Sequence, residues 1–571
     1  MDGKNQVWYE APTQTKTMKK HVIFLALLII LSFWSIKPLL GEGFFPMHDD
    51  TQVGRVVAMG RALRNGQFPV RWVSELGYGY GYPIFNFYGP LPYYVGGFLY
   101  ALGIHGLQAT KLMMILGIIL SGITMYALSG YVFGRLAGVV AGVLYMYIPY
   151  HAVQVYVRGA VGELWSVAFL PLVVLGIFLI SGSARGKAGV LIGGLGLAGV
   201  IVSHTVLGYV TVTALLAGGA LYALLTGFRK HLSVRPLLSC GFMAVLGLGL
   251  SAFFWLPALA EMQFTAVAAQ VSATADFHTH FVCVTQLWSS PWGFGGSAPG
   301  CLDGMSFKLG KLHILLAGFS VLLLFVQKRM SFSFRRTLWA VLIGTLVSVF
   351  FMTEYSVRLW EVVPYAAYVQ YPWRLLAFSA LGLSLLGGGL IRATDKKVLR
   401  GFLGVGVIVV TILTNAKWFV PQYTYEKPFR DFESSADIRF RVSSISDEYL
   451  PPGIPEPKSV TQTLHDTIQA PENVRVETEI DTETYIKSFI ETDKDVSLRI
   501  TRAYFPGWHF LVNGREVAPL VSEGLPTVRI PAGRYALEAR FTDTPVRSVA
   551  NMLTLITVGI LIAFYGKKTI T

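Results

Sequence analysis

The sequence predicts a mainly α-helical, polytopic membrane protein that carries one β-rich domain before its last helix. Three observations predict it. Of 571 residues, 53% are hydrophobic and only 14% are charged, against roughly 25% charged in a soluble domain. Near-uncharged runs long enough to cross a bilayer recur along the chain. One late segment breaks that pattern, with short alternating runs separated by turn signals.

The apolar runs fall at 21–40, 109–131, 136–150, 163–182, 188–204, 205–227, 236–257, 312–327, 337–353, 373–391, 401–418 and 549–565, about twelve spans by the hydropathy rule. A thirteenth run, "YGPLPYYVGGFLYALGI" at 88–104, is short and opens on prolines, so it reads as an interfacial or re-entrant helix. Charge supports this choice. With the N-terminus inside, Lys19, Lys20, Arg135, Arg185, Lys187, Arg229, Lys230, Arg235, Lys328, Arg329, Arg335, Arg336, Arg392, Lys396, Lys397, Arg400, Lys567 and Lys568 all fall on the inner side, a positive-inside pattern. Counting 88–104 as a full span would reverse every later loop. No small-residue cleavage site follows Leu40, so the first run reads as an uncleaved span.

The expected organisation is a cytoplasmic tail at 1–20 and a transmembrane domain at 21–418 with outer loops 41–108 and 258–311. An extracytoplasmic β-rich domain follows at 419–548, then a last helix and tail at 549–571. The β-rich segment contains "VRVETEI", "VSLRITRAYF" and "RYALEARF", and Asn513-Gly514 between strand-like flanks signals a hairpin. A small β-sandwich or jelly roll is expected. The net charge of +14 does not point to nucleic acid. Residues 421–548 hold 20 acidic and 15 basic residues, leaving 13 acidic and 32 basic elsewhere, so the excess sits in the apolar part, where it sets topology. Of three cysteines, Cys240 falls in a span, while Cys283 and Cys301 share an outer loop. A disulfide and two free thiols both fit their spacing.

Candidate chemistry begins with His48, Asp49 and Asp50, in "EGFFPMHDDTQVGR" just outside the first span. One carboxylate can serve as general base toward an acceptor hydroxyl, or the trio can hold a divalent cation. Alternatively, the acids are merely solvated and Asp50 caps the following helix. Arg55, Arg61 and Arg64 follow at helical spacing and can face lipid phosphates. "GYGYGYPIFNFYGPLPYY", which includes Tyr88, offers aromatic faces for sugar rings or an interfacial belt. Arg158 and Glu163, five residues apart, can pair with each other or with the first loop; ionisable residues at such boundaries are functional candidates. His204 reads as a packing residue. The long loop 286–313 brings Trp288, Trp292, Asp303, Lys308, Lys311 and His313. "TEYSVRLWEVVPYAAYVQYPWRLLAF" adds Glu354, Arg358, Gln370, Trp373 and Arg374. Arg374 opens a span on the outer side against the charge rule, which suggests a phosphate partner or a salt bridge to Glu354 or a first-loop acid. There is no Walker, Rossmann, CxxC or HExxH motif. No nucleotide cofactor is expected, and an outward-facing enzyme would use an already activated, lipid-carried donor.

"QYPWRLL" after "YSVRLWEVVP", "YVRGAVGE", "SSPWGFGGSAPGCLDGMSFKLGKLH", "DEYLPP" and "YFPGWHFLVNG" resemble bacterial membrane proteins of the YfhO-like kind. Some of these are labelled 6-pyruvoyl-tetrahydropterin synthase-related. The resemblance spans about residues 40 to 565. The label is not an activity, since no compact pterin-enzyme domain or zinc–histidine set is evident in the sequence. That group in turn looks like the GT-C glycosyltransferases, polytopic enzymes that use polyprenyl-phosphate sugars and carry an essential acid in the first outer loop. The resemblance implies that Asp49 or Asp50 is the catalytic carboxylate. Arg158, Glu163, Arg374, His48, Gln370, Trp373, Trp292 and Tyr88 are the candidates for holding donor or substrate. The expected partners are the lipid bilayer, a polyprenyl-phosphate sugar donor and a glycan, lipid or protein acceptor, at a bacterial cytoplasmic membrane. A glycolipid transporter or flippase would need polar or broken helices at mid-membrane, whereas the ionisable residues here collect at the outer boundary. A non-catalytic binding protein anchored by its β-domain is the other alternative.

Overall fold

The computed structural model describes residues 14–182, 185–228, 233–267, 276–327, 330–394, 396–463 and 465–566, with side chains from residue 21 except at 227–228 and 564–566. Of the basic residues expected inside, Arg229, Lys230, Lys328, Arg329, Lys567 and Lys568 lie outside the described residues, as do the side chains of Lys19 and Lys20. Among the described residues eight helices are long and apolar enough to cross a membrane, and up to eleven if each of three bent pairs is one span. The sequence pointed to about twelve. Hydropathy averages across the breaks at Ser32, at Tyr147–Ile148 and at Ser251, where the paired helices bend by 44°, 45° and 72°. Pro149 opens the second half at one break and disfavours helix in the residue before it. The remaining apolar run, Lys311–Val326, has 16 residues, about 24 Å of helix against a hydrocarbon core of about 30 Å.

The helix Leu91–Ala101 has 11 residues, too short to span. It packs on Gln52–Arg64, the helix that follows the paired acids: an added Cβ at Gly60 would overlap Tyr100, and one at Gly97 would overlap Met59. Lys111 pins the chain as it leaves the first span, donating to the carbonyls of Gly41, Glu42 and Gly43 at 2.6, 3.1 and 2.6 Å.

Nine strands follow between Ile468 and Phe541, in two antiparallel sheets. β1 (Ile468–Gln469), β4 (Val496–Ile500), β8 (Leu525–Ile530) and β7 (Leu520–Ser522) form the first, in that order. β2 (Arg475–Asp481), β3 (Tyr485–Thr492), β9 (Gly533–Phe541), β5 (Trp508–Val512) and β6 (Arg515–Val517) form the second. Alternate residues of both sheets, among them Ile486, Ile490, Leu498, Val528 and Leu537, are buried in one apolar cluster. The expected hairpin forms between β5 and β6, with Asn513 and Gly514 both at positive φ (48° and 76°).

This β-domain docks on the first loop. Trp72 packs against Trp508 and Phe541, with ring centroids 5.6 and 5.2 Å away, and Ala503 N–H donates to the Tyr80 carbonyl at 2.7 Å. The last span is tied in through Glu261, which accepts from Arg547 Nε and Nη2 at 3.0 and 2.9 Å and from Asn86 at 2.9 Å.

Candidate functional site

The chain order puts the two acids near Arg158 through a short backbone pairing. His48 N–H donates to the Val157 carbonyl and Asp49 N–H to that of Arg158, both at 2.9 Å. Gly159 makes this approach possible: at φ 69° it adopts a conformation that side chains disfavour, and a Cβ there would run into Met47. Arg158 Nη1 then reaches Glu163 Oε2 at 2.7 Å. Glu163 is a hub, since it also accepts from Tyr150 Oη at 2.8 Å and from Arg374 Nε at 3.2 Å, with His204 Nε2 at 3.8 Å. Arg374 donates further to the Val369 carbonyl at 2.6 Å and to Gln370 Oε1 at 3.1 Å. The Arg158 guanidinium lies over Trp373, 4.5 Å from the ring centroid.

These groups converge on a cavity of about 360 Å³. Of the sequence candidates, His48, Asp49, Arg55, Tyr88, Arg158, Glu163, His204, Gln370, Trp373 and Arg374 line it. Asp50 and Trp292 do not. Trp292 is stacked on Trp418 at 4.8 Å, away from the lining.

The paired acids therefore part company. Asp49 faces the cavity and accepts from His48 Nδ1 at 2.8 Å. Burial would raise its carboxyl, but the His48 hydrogen bond and the charges of Arg158 and Arg55 outweigh burial and hold it below the usual carboxylate range. Asp50 turns the other way, to Arg441 Nη1 at 2.8 Å, and Asp437 grips the same guanidinium at 2.7 and 2.8 Å. Burial raises Asp50, with Arg441 opposing. Asp50 does not cap the next helix: Thr51 is the N-cap residue and makes no side-chain cap, because Arg441 occupies the carboxylate. The trio does not fit a divalent cation either. His48 Nδ1 and Asp49 satisfy each other, Asp50 is diverted, and among the described residues no three His, Cys, Asp or Glu side chains are placed to hold a metal.

Arg55 is only 3% exposed. It donates to Ser446 Oγ at 2.6 Å and lies over the Tyr88 ring at 4.4 Å. Among the described residues no carboxylate lies within ion-pair distance of it. Arg61 and Arg64, by contrast, are taken by protein partners. Arg61 pairs with Glu75 and donates to the Glu433 carbonyl at 2.8 Å, and Arg64 donates to the Tyr100 carbonyl at 2.6 Å. The salt bridge considered between Arg374 and Glu354 does not form, because Glu163 takes Arg374. Arg358 is exposed and meets Glu361 at 3.3 Å. Asp303 accepts from Ser290 and Gln286 at 2.5 and 2.9 Å, and His313 is buried in the helix bundle. The tyrosines of the Gly-Tyr repeat are not open sugar platforms. Tyr78, Tyr80 and Tyr82 are buried because the later chain covers them: Tyr80 stacks on His465 at 4.5 Å, and Tyr78 Oη donates to Asp447 at 3.1 Å.

The sequence reading missed one wall entirely. Ile445, Ser446, Glu448 and Tyr449 line the cavity from beyond the span that ends at Trp418. Ser446 Oγ donates to Glu448 Oε2 at 2.9 Å. Burial pushes the Glu448 carboxyl up, with Arg55 opposing, so Glu448 and Asp49, two of the three carboxyls that line the cavity with Glu163, are shifted in opposite directions. "DEYLPP" was visible only as part of a family likeness, because nothing local ties an acid in a connecting segment to a distant cavity. Disulfide bonding of Cys283 and Cys301, with Cα atoms 5.6 Å apart, braces the loop whose Gly296 and Ser297 form another part of the lining.

A family model described as "6-pyruvoyl-tetrahydropterin synthase related domain; membrane protein" matches residues 85–423. The matched region contains Arg158, Glu163 and Arg374; Asp49 lies before it and Glu448 after it. No curated protein matches the sequence. Among solved structures, the chain is similar to the arabinofuranosyltransferase AftD from Mycobacteria, at 14% identity and TM-score 0.45, covering 72% of this chain and 28% of that one. It is similar to the Archaeoglobus fulgidus oligosaccharyltransferase in the apo form, at 13% and 0.47, covering 77% and 60%. It is also similar to ArnT from Cupriavidus metallidurans bound to undecaprenyl phosphate, at 14% and 0.33, covering 66% and 78%. The chain thus spans less than two thirds of the first two proteins.

Proposed function

The chain belongs to the 6-pyruvoyl-tetrahydropterin synthase-related family of membrane proteins, and from that premise we propose that it is a glycosyltransferase taking its sugar from a polyprenyl-phosphate donor. One observation carries the reading. A single cavity holds a carboxylate kept ionised, Asp49, beside three guanidiniums, of which two share Glu163 and the third, Arg55, has no carboxylate partner among the described residues. Arg55 meets the charges of Asp49 and Glu448 only at a distance, so a phosphate entering the cavity can take charge-assisted hydrogen bonds from its guanidinium that no carboxylate occupies. An apolar groove of about 710 Å³, lined by residues such as Leu91, Tyr94, Phe98, Ala198 and Val202, runs along the same two segments whose ends, Tyr88–Gly89 and His204, line the cavity. Such a groove suits an isoprenoid tail.

Under this reading Asp49 accepts the proton of the acceptor hydroxyl as that oxygen bonds to the anomeric carbon. The bond from the anomeric carbon to the phosphate oxygen breaks, and the electron pair leaves on the phosphate, which Arg55, Arg158 and Arg374 stabilise. A carboxylate of lowered pKa suffices, because the hydroxyl becomes strongly acidic only as its new bond forms. In-line attack inverts the anomeric centre. The acceptor is a glycan, lipid or protein of the envelope. The twelve apolar runs act as spans of the bacterial cytoplasmic membrane, and the loops and a sandwich-like β-domain stand outside.

The test is reconstitution of the purified protein in proteoliposomes with a panel of polyprenyl-phosphate hexoses and pentoses and an extract of envelope glycans, lipids and proteins as acceptors, following release of the free polyprenyl phosphate. Consumption of at least one donor, abolished in Asp49→Asn and retained in Asp50→Asn, is expected. Release unaffected by Asp49→Asn refutes the assignment, and a panel left untouched refutes the reading.

A further inference from the structure

A second group of charges lies apart from the cavity lining, where the loop before Lys311 meets the end of the span Lys397–Trp418. Trp292 and Trp418 are stacked there, centroids 4.8 Å apart. Lys308 Nζ lies 3.9 Å from the Trp418 centroid and 5.7 Å from that of Trp292. Lys417 Nζ approaches the same Trp418 ring at 4.8 Å. Lys311 Nζ lies 5.5 Å over Trp288.

Lys308 and Lys417 thus share one aromatic platform, with Lys311 close enough to act on Lys308, and among the described residues none of the three has a carboxylate within ion-pair distance. Asp303 is the acid that acts on Lys308, but its carboxylate already accepts from Ser290 and Gln286. Burial first, then the charges of Lys417 and Lys311, push the Lys308 ammonium below its usual range. Indole faces offset part of that repulsion but supply no net negative charge. Three lysines against the single charge of Asp303 leave the cluster short of an anion.

Its position says which kind. Below the lysines the flanks of both helices are apolar and exposed: Leu315, Phe319 and Leu322 on one, Leu413 on the other. These are surfaces for acyl chains, and the lysines sit where those chains would end. Trp and Tyr favour that headgroup level, and a basic residue near a membrane surface attracts acidic lipid. We propose that Lys308 and Lys417, on the Trp292–Trp418 platform, and Lys311, over Trp288, bind the phosphate of an anionic phospholipid whose acyl chains lie along the exposed faces of Lys311–Val326 and Lys397–Trp418. The site is separate from the donor cavity and does not depend on the reaction proposed for it. The disulfide-braced loop leading to Lys308 also supplies Gly296 and Ser297 to the cavity wall, so a lipid held here bears on that loop from its other end.

The test uses the full-length protein in nanodiscs of phosphatidylcholine and phosphatidylglycerol with identical acyl chains, and measures retained lipid by native mass spectrometry. Wild type should retain phosphatidylglycerol preferentially. Each lysine is worth about fivefold, so Lys308→Ala with Lys417→Ala should lower the preference roughly 25-fold, and the double arginine variant should keep it. Equal retention of the two lipids by wild type overturns the proposal, as does a preference that survives the double alanine change. Displacement by soluble glycerol phosphate alone also overturns it, by showing a site for free phosphate. If the double variant does not fold, Lys311→Ala alone decides the matter, with a loss of about fivefold expected.

Discussion

Replacing Glu163 by glutamine isolates what holds the site together. The carboxylate is 1% exposed, and its partners Arg158 and Arg374 are 11% and 9% exposed, so the arrangement belongs to the buried regime. Removing one member of a buried ion pair costs about 3–5 kcal/mol, because the remaining charge is stranded. Here two guanidiniums lose one shared counter-charge. Glutamine keeps the volume, and its amide oxygen can still accept one hydrogen bond, worth about 1 kcal/mol. The cavity also admits some water to both arginines. The net expectation is a loss of roughly 3 kcal/mol. It is measured by reversible unfolding in mixed SDS micelles followed by tryptophan fluorescence, with Arg374→Gln as the second arm of a double-mutant cycle. Arg374→Gln should be markedly less harmful in the Glu163→Gln background, a coupling of at least about 1 kcal/mol. A Glu163→Gln loss under about 1 kcal/mol, or additive effects of the two changes, would refute the hub.

The remaining predictions are narrower. His48 is raised, chiefly by its hydrogen bond to Asp49 with burial opposing, so its stabilisation is complete below the unfolded value near 6.5 and lost as pH rises through the higher folded value. Asp49 is lowered, so its share is present above about pH 4 and lost as pH falls through the folded value. The difference between wild type and His48→Gln should therefore peak between about pH 4 and 6.5 in the same unfolding assay, and a flat difference from pH 4 to 9 would contradict the pairing. Because the His48 side chain is 54% exposed, the peak should stay below about 1 kcal/mol. Thiol titration of denatured protein should find Cys240 alone before reduction and all three cysteines after it; an unchanged count would refute the bridge. Gly89→Ala would drive a Cβ into the Ser203 carbonyl, costing about 1–3 kcal/mol and disturbing the cavity rim, which a thermal scan would detect; an unchanged transition would mean that the two segments stand further apart.

The membrane class, the helical runs and the β-domain were legible because each rests on local composition or period. The helix breaks were harder to read, since an apolar average carries smoothly across Ser251. Arg158, Glu163 and Arg374 could be found as ionisable residues at the ends of apolar runs, which is a local signal. The difference between Asp49 and Asp50 could not, because it depends on Arg441, 391 residues from Asp50. The same blindness made the Gly-Tyr repeat look like a sugar platform. Those rings are covered by a segment nearly four hundred residues later, around Asp447 and His465. Glu448 stayed hidden for the converse reason, as an unremarkable acid in a connector until the fold carries it to the cavity.

That connector has a bearing on how the protein can change over time. Since Ser446, Glu448 and Tyr449 close the cavity on the way to the strands, and Trp72 of the first loop is buried against Trp508 and Phe541, the chain cannot be divided into an interchangeable head on a membrane base. Domain shuffling that exchanged the β-domain at Phe419 would remove part of the pocket along with it. Diversification of the cavity is thereby confined to point changes and loop insertions on a head that is inherited together with its membrane partner.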